Sequence, residues 1–226
     1  MRAPISVVIP VLNSEAALVG CAAALMEGVE AGLIREVIVS DGGSCDATQV
    51  IADEIGATWV SGPASRGGQL MRGCVAAKGE WLLILHADTQ LQARWSEAVK
   101  QHLIGNAAGY FRLAFDAKGL GARYVERWAN LRSRLFQLPY GDQGLLISRA
   151  LYDEVGGYLD QPLMEDVAIA RALWGQLIGL DAVALTSAEK YINQGWLVRG
   201  GRNLWTLARY FFGVPVETLA AAYRRP

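Results

Sequence analysis

The sequence predicts an α/β protein built on a mostly parallel, mixed sheet flanked by helices. Three observations carry this. Residues 1–90 alternate strand-like and helix-like segments with short connections, the pattern of a parallel sheet with right-handed crossovers. The run Trp81-Leu82-Leu83-Ile84-Leu85 is continuously apolar, as in a strand buried on both faces. Beyond it the pattern changes: Gly109-Tyr110-Phe111-Arg112-Leu113-Ala114-Phe115 alternates like a half-exposed strand.

The elements follow in order. Ile5 to Ile9 reads as a buried strand closed by Pro10. Asn13 or Ser14 caps a helix with Leu18, Cys21, Ala22, Leu25 and Val29 at helical spacing, and Gly32 ends it. Glu36 to Ser40 is a second strand. Asp46 and Gln49, three apart, open a second helix. Thr58-Trp59-Val60 is a short third strand, and a helix from about Gly67 to Ala77 leads into the Trp81 strand. In the second half, Gly121 to Phe136 reads as a helix carrying Arg123, Arg127, Arg132 and Arg134. Leu145 to Ser148 reads as a strand, and Glu165 to Trp174 and Leu204 to Phe212 as helices. No repeat, low-complexity tract or linker divides the chain, so one domain is the simplest account.

Composition narrows the function classes. The 226 residues are 52% hydrophobic and 19% charged, which is a folded protein with a substantial core. The net charge of -1 supplies no basic field for nucleic acid. Three cysteines without a CxxC pair, and two histidines, leave no zinc framework or disulfide scaffold and suit a reducing compartment. Met1-Arg2-Ala3-Pro4 enters a strand at once, unlike a signal peptide, and no run reaches the ~18 apolar residues of a membrane span. The expectation is a cytoplasmic protein, free or peripheral at the inner membrane face. The segment Leu204 to Tyr223 is rich in Trp, Tyr, Phe and Leu, with Arg209, Arg224 and Arg225. It packs on its own domain, forms a homodimer contact or lies on a membrane.

Five clusters can carry chemistry. His86-Ala87-Asp88 follows the apolar strand, where ligands bind in open α/β sheets. Asp88 suits Mg²⁺ or Mn²⁺ holding a phosphorylated substrate, or caps the next helix. His86 is a ligand, a donor behind one, or a buried imidazole. Ser40-Asp41-Gly42-Gly43-Ser44 closes strand two as an ordinary tight turn or a ligand loop; the glycines permit close backbone approach, and Asp41, which caps nothing obvious, suits a base or ribose. Asp46 reads as a helix cap. Glu165-Asp166 either complements a helix dipole or supplies a general base. Tyr140-Gly141-Asp142-Gln143-Gly144 is a substrate-contact loop or a turn. Arg199-Gly200-Gly201-Arg202-Asn203 is a mobile loop gripping phosphate or a solvated basic turn.

Taken in order, these clusters resemble the family 2 glycosyltransferases of GT-A (nucleotide-diphospho-sugar transferase) fold. A closer resemblance, to bacterial arsenosugar-biosynthesis or radical-SAM/selenium-domain-associated glycosyltransferases, is carried by Leu85-His86-Ala87-Asp88-Thr89, Leu131-Arg132-Ser133-Arg134-Leu135, Gly141-Asp142-Gln143, Gly156-Gly157-Tyr158 and Pro162-Leu163-Met164-Glu165-Asp166. Thr186-Ser187-Ala188 and Tyr210-Phe211-Phe212-Gly213-Val214-Pro215 extend it.

The resemblance implies inverting transfer from a UDP-sugar with Mn²⁺ or Mg²⁺. It places Pro10, Asn13, Asp41, Gly42, Arg66, Asp142 and Gln143 around the donor, with Asp41 on the uracil and Arg199 on the diphosphate from a loop before the last helix. Asp88, with His86, matches the metal element, and Asp166, with Glu165, the catalytic base. Residues 1–90 are then the nucleotide-binding half, 91–200 the acceptor half and 201–226 a C-terminal helical segment. His86 stands where many relatives have the first Asp of Asp-x-Asp, which motivates a competing reading as a non-catalytic sugar-nucleotide-binding subunit. Nucleotidyl transfer to a sugar phosphate is a further alternative, but Pro10-Val11-Leu12-Asn13 is not the glycine-rich loop it needs.

Overall fold

The computed structural model describes residues 3–223. Eight strands form one sheet in the order β3-β2-β1-β4-β7-β6-β8-β5. These are β1 (Ile5–Val11), β2 (Ile34–Asp41), β3 (Thr58–Ser61), β4 (Trp81–Ile84), β5 (Thr89–Leu91), β6 (Ala108–Phe115), β7 (Leu145–Ser148) and β8 (Leu177–Thr186). β1 pairs in parallel with β2 and β4, and β2 with β3. β7 runs against both β4 and β6, β8 is parallel to β6, and β5 runs against β8. All strands but β7 and β5 therefore point the same way, and their carboxyl ends open on one edge.

The alternation of side chains sorts the core into two layers. From β1 and β4, Val8, Leu82 and Ile84 enter one buried cluster, while Val7, Ile9, Leu83 and Leu85 enter the other. On the second face lie α1 (Glu15–Glu30) and α4 (Trp95–His102), through Leu18, Leu25, Trp95 and Val99. The Val8 face is covered by α3 (Arg66–Ala76), α6 (Arg149–Glu154) and α7 (Glu165–Ala172), through Leu70, Leu151 and Val167. The remaining helices are α2 (Thr48–Glu54), α5 (Leu120–Phe136), α8 (Glu189–Gln194), α9 (Trp196–Phe211) and α10 (Val216–Tyr223). No described helix is long and apolar enough to cross a membrane.

Several sequence expectations need correction. β6 is not half-exposed: it lies inside the sheet between β7 and β8, and only Arg112 is fully exposed. β8 escapes the sequence reading because Gly179 and Asp181 interrupt its apolar run, yet it pairs along its length with β6. The helix expected from Leu204 is the second half of α9, which starts at Trp196 and runs straight through Gly200 and Gly201. Asn13 caps nothing; its φ is 51°, and its side-chain oxygen accepts from the Cys45 amide at 2.9 Å, pinning the β1–α1 turn to the β2–α2 turn. Asp46 sits one residue before the cap of α2, which is Ala47; its carboxylate accepts from the Thr48 amide at 3.0 Å and so braces the turn into the helix. Arg224 and Arg225 lie outside the described residues.

Gly67 in α3 fixes the neighbouring wall. A Cβ there would lie 1.9 Å from the Leu159 carbonyl oxygen, and its amide donates to the Gln161 carbonyl at 3.0 Å. Helix propensity favours alanine over glycine by about 1 kcal/mol, but a backbone collision cannot relax by side-chain rotation. Gly67→Ala should destabilise the fold by a net ~1 kcal/mol or more, read from urea denaturation; unchanged stability would show that the 159–161 segment yields freely.

Candidate active site

The shared strand direction gathers the turns after β1, β4, β6 and β8 on one edge, where an open cleft lies. A wide lobe of about 840 Å³ is lined by the Pro10–Ala17 turn, Gln69, Leu70, Gln90, Asp116 and Glu165. A narrower lobe is lined by Tyr140, Gly141, Asp142, Asp166, Tyr191 and Arg199. Arg66, His86, Asp88, Ser187 and Lys190 border both lobes and form the seam between them.

β7 delivers the 140s to this seam because it runs backwards. Its first residue, Leu145, pairs with Ile84 at the end of β4, so the 3₁₀ turn Gly141–Gln143 sits beside His86. A Cβ at Gly141 would lie 2.4 Å from His86 Nε2, so only glycine admits the ring there. The α7 amino end joins the same point: Asp166 Oδ2 accepts from the Gly141 amide at 2.9 Å, and Oδ1 from the Val167 amide at 2.8 Å. Met164 turns the chain into α7 with a left-handed φ of 65°. The consecutive acids then diverge, Asp166 into the narrow lobe and Glu165 into the wide one.

Electrostatics separate the titratable groups. Burial, with Arg66 nearby, lowers His86 to about 4 against the pull of Asp88 and Asp166, so the imidazole is neutral at pH 7. Burial raises Asp142 to about 6 despite Arg132, and one of its oxygens is buried without a partner. Glu165 is 1% exposed. Burial and then Asp166 push it up to about 7, although Arg66 Nε lies 3.8 Å from its Oε1. Its other oxygen has no partner. The Asp88 carboxylate makes no hydrogen bond or ion pair with a described residue, so its lone pairs face the seam. Among the described residues no three His, Cys, Asp or Glu side chains converge as a self-sufficient metal site. A free carboxylate beside a neutral imidazole instead fits a hard cation completed by substrate phosphate and water.

Some expected residues do not reach the cleft. Asp41 is buried, and its carboxylate accepts from the Gly43 amide at 2.7 Å and the Ser44 hydroxyl at 2.6 Å. It does cap something: its own Gly-Gly turn, the tight turn that the sequence offered as the alternative to ligand contact. Gly42 lies behind the wide lobe, where a Cβ would be 2.8 Å from Gln69 Oε1. Gln143 is fully buried; its amide donates to the Phe111 carbonyl at 3.1 Å and accepts from Ser133 Oγ at 2.6 Å, anchoring the 3₁₀ turn from beneath. Arg199 lines the narrow lobe from within α9, not from a loop. It donates to Gln194 Oε1 at 3.2 Å and to the Tyr223 hydroxyl, with its guanidinium 4.5 Å from the Tyr223 ring centre. Pro10, Asn13, Arg66, His86, Asp88, Asp142, Glu165 and Asp166 all border the cleft. Lys190 and Tyr191, carried there by α8 after the unrecognised β8, and Tyr223 at the end of α10 also border it and were not among the site residues expected from sequence.

Comparison with known proteins decides the family. The model of glycosyl transferase family 2 matches residues 6–151, from β1 through the start of α6. The chain belongs to glycosyl transferase family 2. No curated protein sequence matches. Among solved structures, glucosyl-3-phosphoglycerate synthase from Mycobacterium tuberculosis, in complex with Mn²⁺, UDP and glucosyl-3-phosphoglycerate, aligns with TM-score 0.55 and 23% identity, covering 82% of this chain and 70% of that one. A mycobacterial protein aligns with TM-score 0.55 and 23% identity over 82% of this chain, which spans only 65% of the other's length. TarS residues 1–349 from S. aureus align with TM-score 0.58 and 14% identity, over 80% of this chain and 57% of theirs. At these identities the likeness is one of fold, and that fold is GT-A. Asp166 and Arg199 lie beyond the segment that the family model matches.

The raised Glu165 carboxyl gives stability a pH dependence. The folded protein holds a proton between the ordinary 4.5 and about 7 that the unfolded chain releases. This contribution is complete below the unfolded value and is lost as pH rises through about 7. Glu165→Gln should therefore flatten denaturation midpoints measured across that window; a slope identical to that of the parent protein would assign the titration elsewhere.

Proposed function

We propose that this enzyme transfers a sugar, with inversion, from a UDP-sugar to an acceptor hydroxyl, with a divalent cation at Asp88. The observation that carries the reading is that Asp88 and Asp166, far apart in sequence, face the same narrow lobe while Asp88 also borders the wide one. The wide lobe's volume suits a nucleoside diphosphate, and the seam between the lobes suits the reacting centre. Structural neighbours described as complexes with Mn²⁺ or Mg²⁺ and UDP, or with UDP-glucose and phosphoglyceric acid, support the same donor class.

On this reading residues 1–90 supply most of the donor lobe and 91–200 most of the acceptor lobe. Pro10 and Asn13 flank the nucleoside, and the Asp41 turn braces the wall behind it. Asp88, with the neutral His86 beside it, would hold the cation, whose chemistry there would be to offset the negative charge that grows on the leaving diphosphate. Arg66 and Lys190 at the seam, and Arg199 at the far wall, face the diphosphate charge. In the transfer step the acceptor oxygen bonds to the anomeric carbon as the bond to diphosphate breaks. UDP leaves with the electron pair, and the acceptor proton passes to Asp166. The amides of Gly141 and Val167 fix that carboxylate in position. Glu165 positions Arg66 from the donor side.

Two variants test the roles separately. Asp166→Asn should keep UDP binding and lower turnover by ~10²–10⁴, measured as UDP release with an acceptor found by screening. Undiminished turnover would remove Asp166 from the base role. Asp88→Ala should abolish the Mn²⁺-dependent part of UDP binding in titration calorimetry. UDP bound equally well with and without Mn²⁺ by the parent protein would refute a cation at Asp88.

A further inference from the structure

We infer that the outer faces of α5 and α9 together dock on a lipid bilayer surface carrying anionic headgroups. The two helices are neighbours. A Cβ at Gly121 in α5 would lie 2.6 Å from the Trp196 ring at the start of α9. At the other end, the Gly175 amide donates to Gln137 Oε1, the residue that closes α5, at 2.6 Å. Just before it in sequence, Arg171 stacks on Phe211 at the end of α9, 5.3 Å from the ring centre. Both helices thus run from a common start to a common finish beside the end of α7.

Their outward faces are unlike an ordinary solvated helix surface. On α5 the exposed positions are Leu120, Tyr124, Trp128, Leu131, Leu135 and Phe136, interleaved with Arg123, Arg127 and Arg134 and with no carboxylate. Glu126, the one acid of α5, is turned inward, where it accepts from the Phe115 amide at 2.8 Å. The exposed positions of α9 are Leu197, Val198, Gly201, Leu204, Trp205 and Phe211, without a charge among them, and Phe212 follows at 85% exposure. Soluble surfaces rarely leave two neighbouring helices each with so long an exposed apolar stripe. Two tryptophans and a tyrosine among aliphatic residues, with three arginines and no acid on the exposed face of α5, is the composition of an interfacial surface.

Charge chooses the occupant. A second copy docked on this face would set arginines against arginines with no carboxylate on the face to pair them. An anionic headgroup layer supplies the missing charge and accepts the apolar side chains beneath it. The inner face of α9 carries Arg199, Asn203 and Thr206 into the narrow lobe, so docking would set that wall of the cleft directly above the surface.

The test is vesicle flotation of the full chain, which needs neither donor nor acceptor and so stands apart from the transfer reaction. The protein should float with vesicles of phosphatidylcholine mixed with phosphatidylglycerol, less with phosphatidylcholine alone, and be released by high salt. Arg123→Gln with Arg127→Gln should lower the partition coefficient about thirtyfold, roughly fivefold per arginine. Trp205→Glu should abolish flotation while circular dichroism melting stays unchanged. Failure to float with either vesicle overturns the inference. So does equal binding to neutral and anionic vesicles unaffected by the arginine changes, or undiminished flotation of folded Trp205→Glu. A concentration-dependent dimer that Trp205→Glu dissolves, without vesicle binding, would give the face to a second copy.

Discussion

The reversed strand β7 is the constraint on which the cleft depends. A parallel strand in its place would start at the opposite edge of the sheet and leave Tyr140 to Gln143 far from His86. Because β7 runs against β4, Leu145 faces Ile84 and the preceding turn lies against the following one. Gly141 then serves two neighbours at once. Its missing side chain admits the His86 ring, and its amide holds Asp166. Three segments distant in sequence become one rigid corner through one strand direction and one hydrogen bond.

That corner concentrates like charge, and the fold handles it by burial and division. Asp142, Glu165 and Asp166 all belong to it, yet Glu165 faces the opposite lobe from its neighbour. Desolvation raises Asp142 and Glu165, reducing the negative charge that must coexist there, while His86 loses its proton at a pH well below neutrality. The Asp88 carboxylate has no hydrogen-bond or ion-pair partner among the described residues, and it stands at the junction that any ligand spanning both lobes must cross. Polar atoms without partners on Asp142 and Glu165 sit in the same neighbourhood. Buried groups of this kind are expected where a site is organised for a ligand and not for the empty protein.

Much of the fold was legible because its early strands are written plainly. Val7, Ile9, Leu83 and Leu85 are apolar on one face, and Val8, Leu82 and Ile84 on the other, which only a doubly covered strand tolerates. β8 was not legible. Gly179 and Asp181 break its pattern, and its place is set by pairing with β6, a long-range fact that local sequence does not carry. The two glycines in α9 misled in the opposite sense, suggesting a loop where the packing of Arg199, Asn203 and Thr206 sustains a helix. Within the site, Asp88 and Asp166 were readable from their positions after a strand and at a helix start. The choice between turn and ligand contact at Asp41 was not legible, since a carboxylate that caps its own loop looks the same in sequence as one free to meet a nucleotide.

The contact at Gly67 has a mechanical meaning. Ser65, Arg66 and Gly67 engage, in turn, the Asp160 side chain, the Glu165 carboxylate and the Gln161 carbonyl. The start of α3 is thereby riveted to the segment leading into α7, and the two helices must travel as one block. The opposite wall is tied by other means: Arg199 meets Tyr223, Asn203 meets Tyr191, and α10 sinks Leu219 and Ala220 into the core, so both walls of the cleft are anchored to the body of the fold.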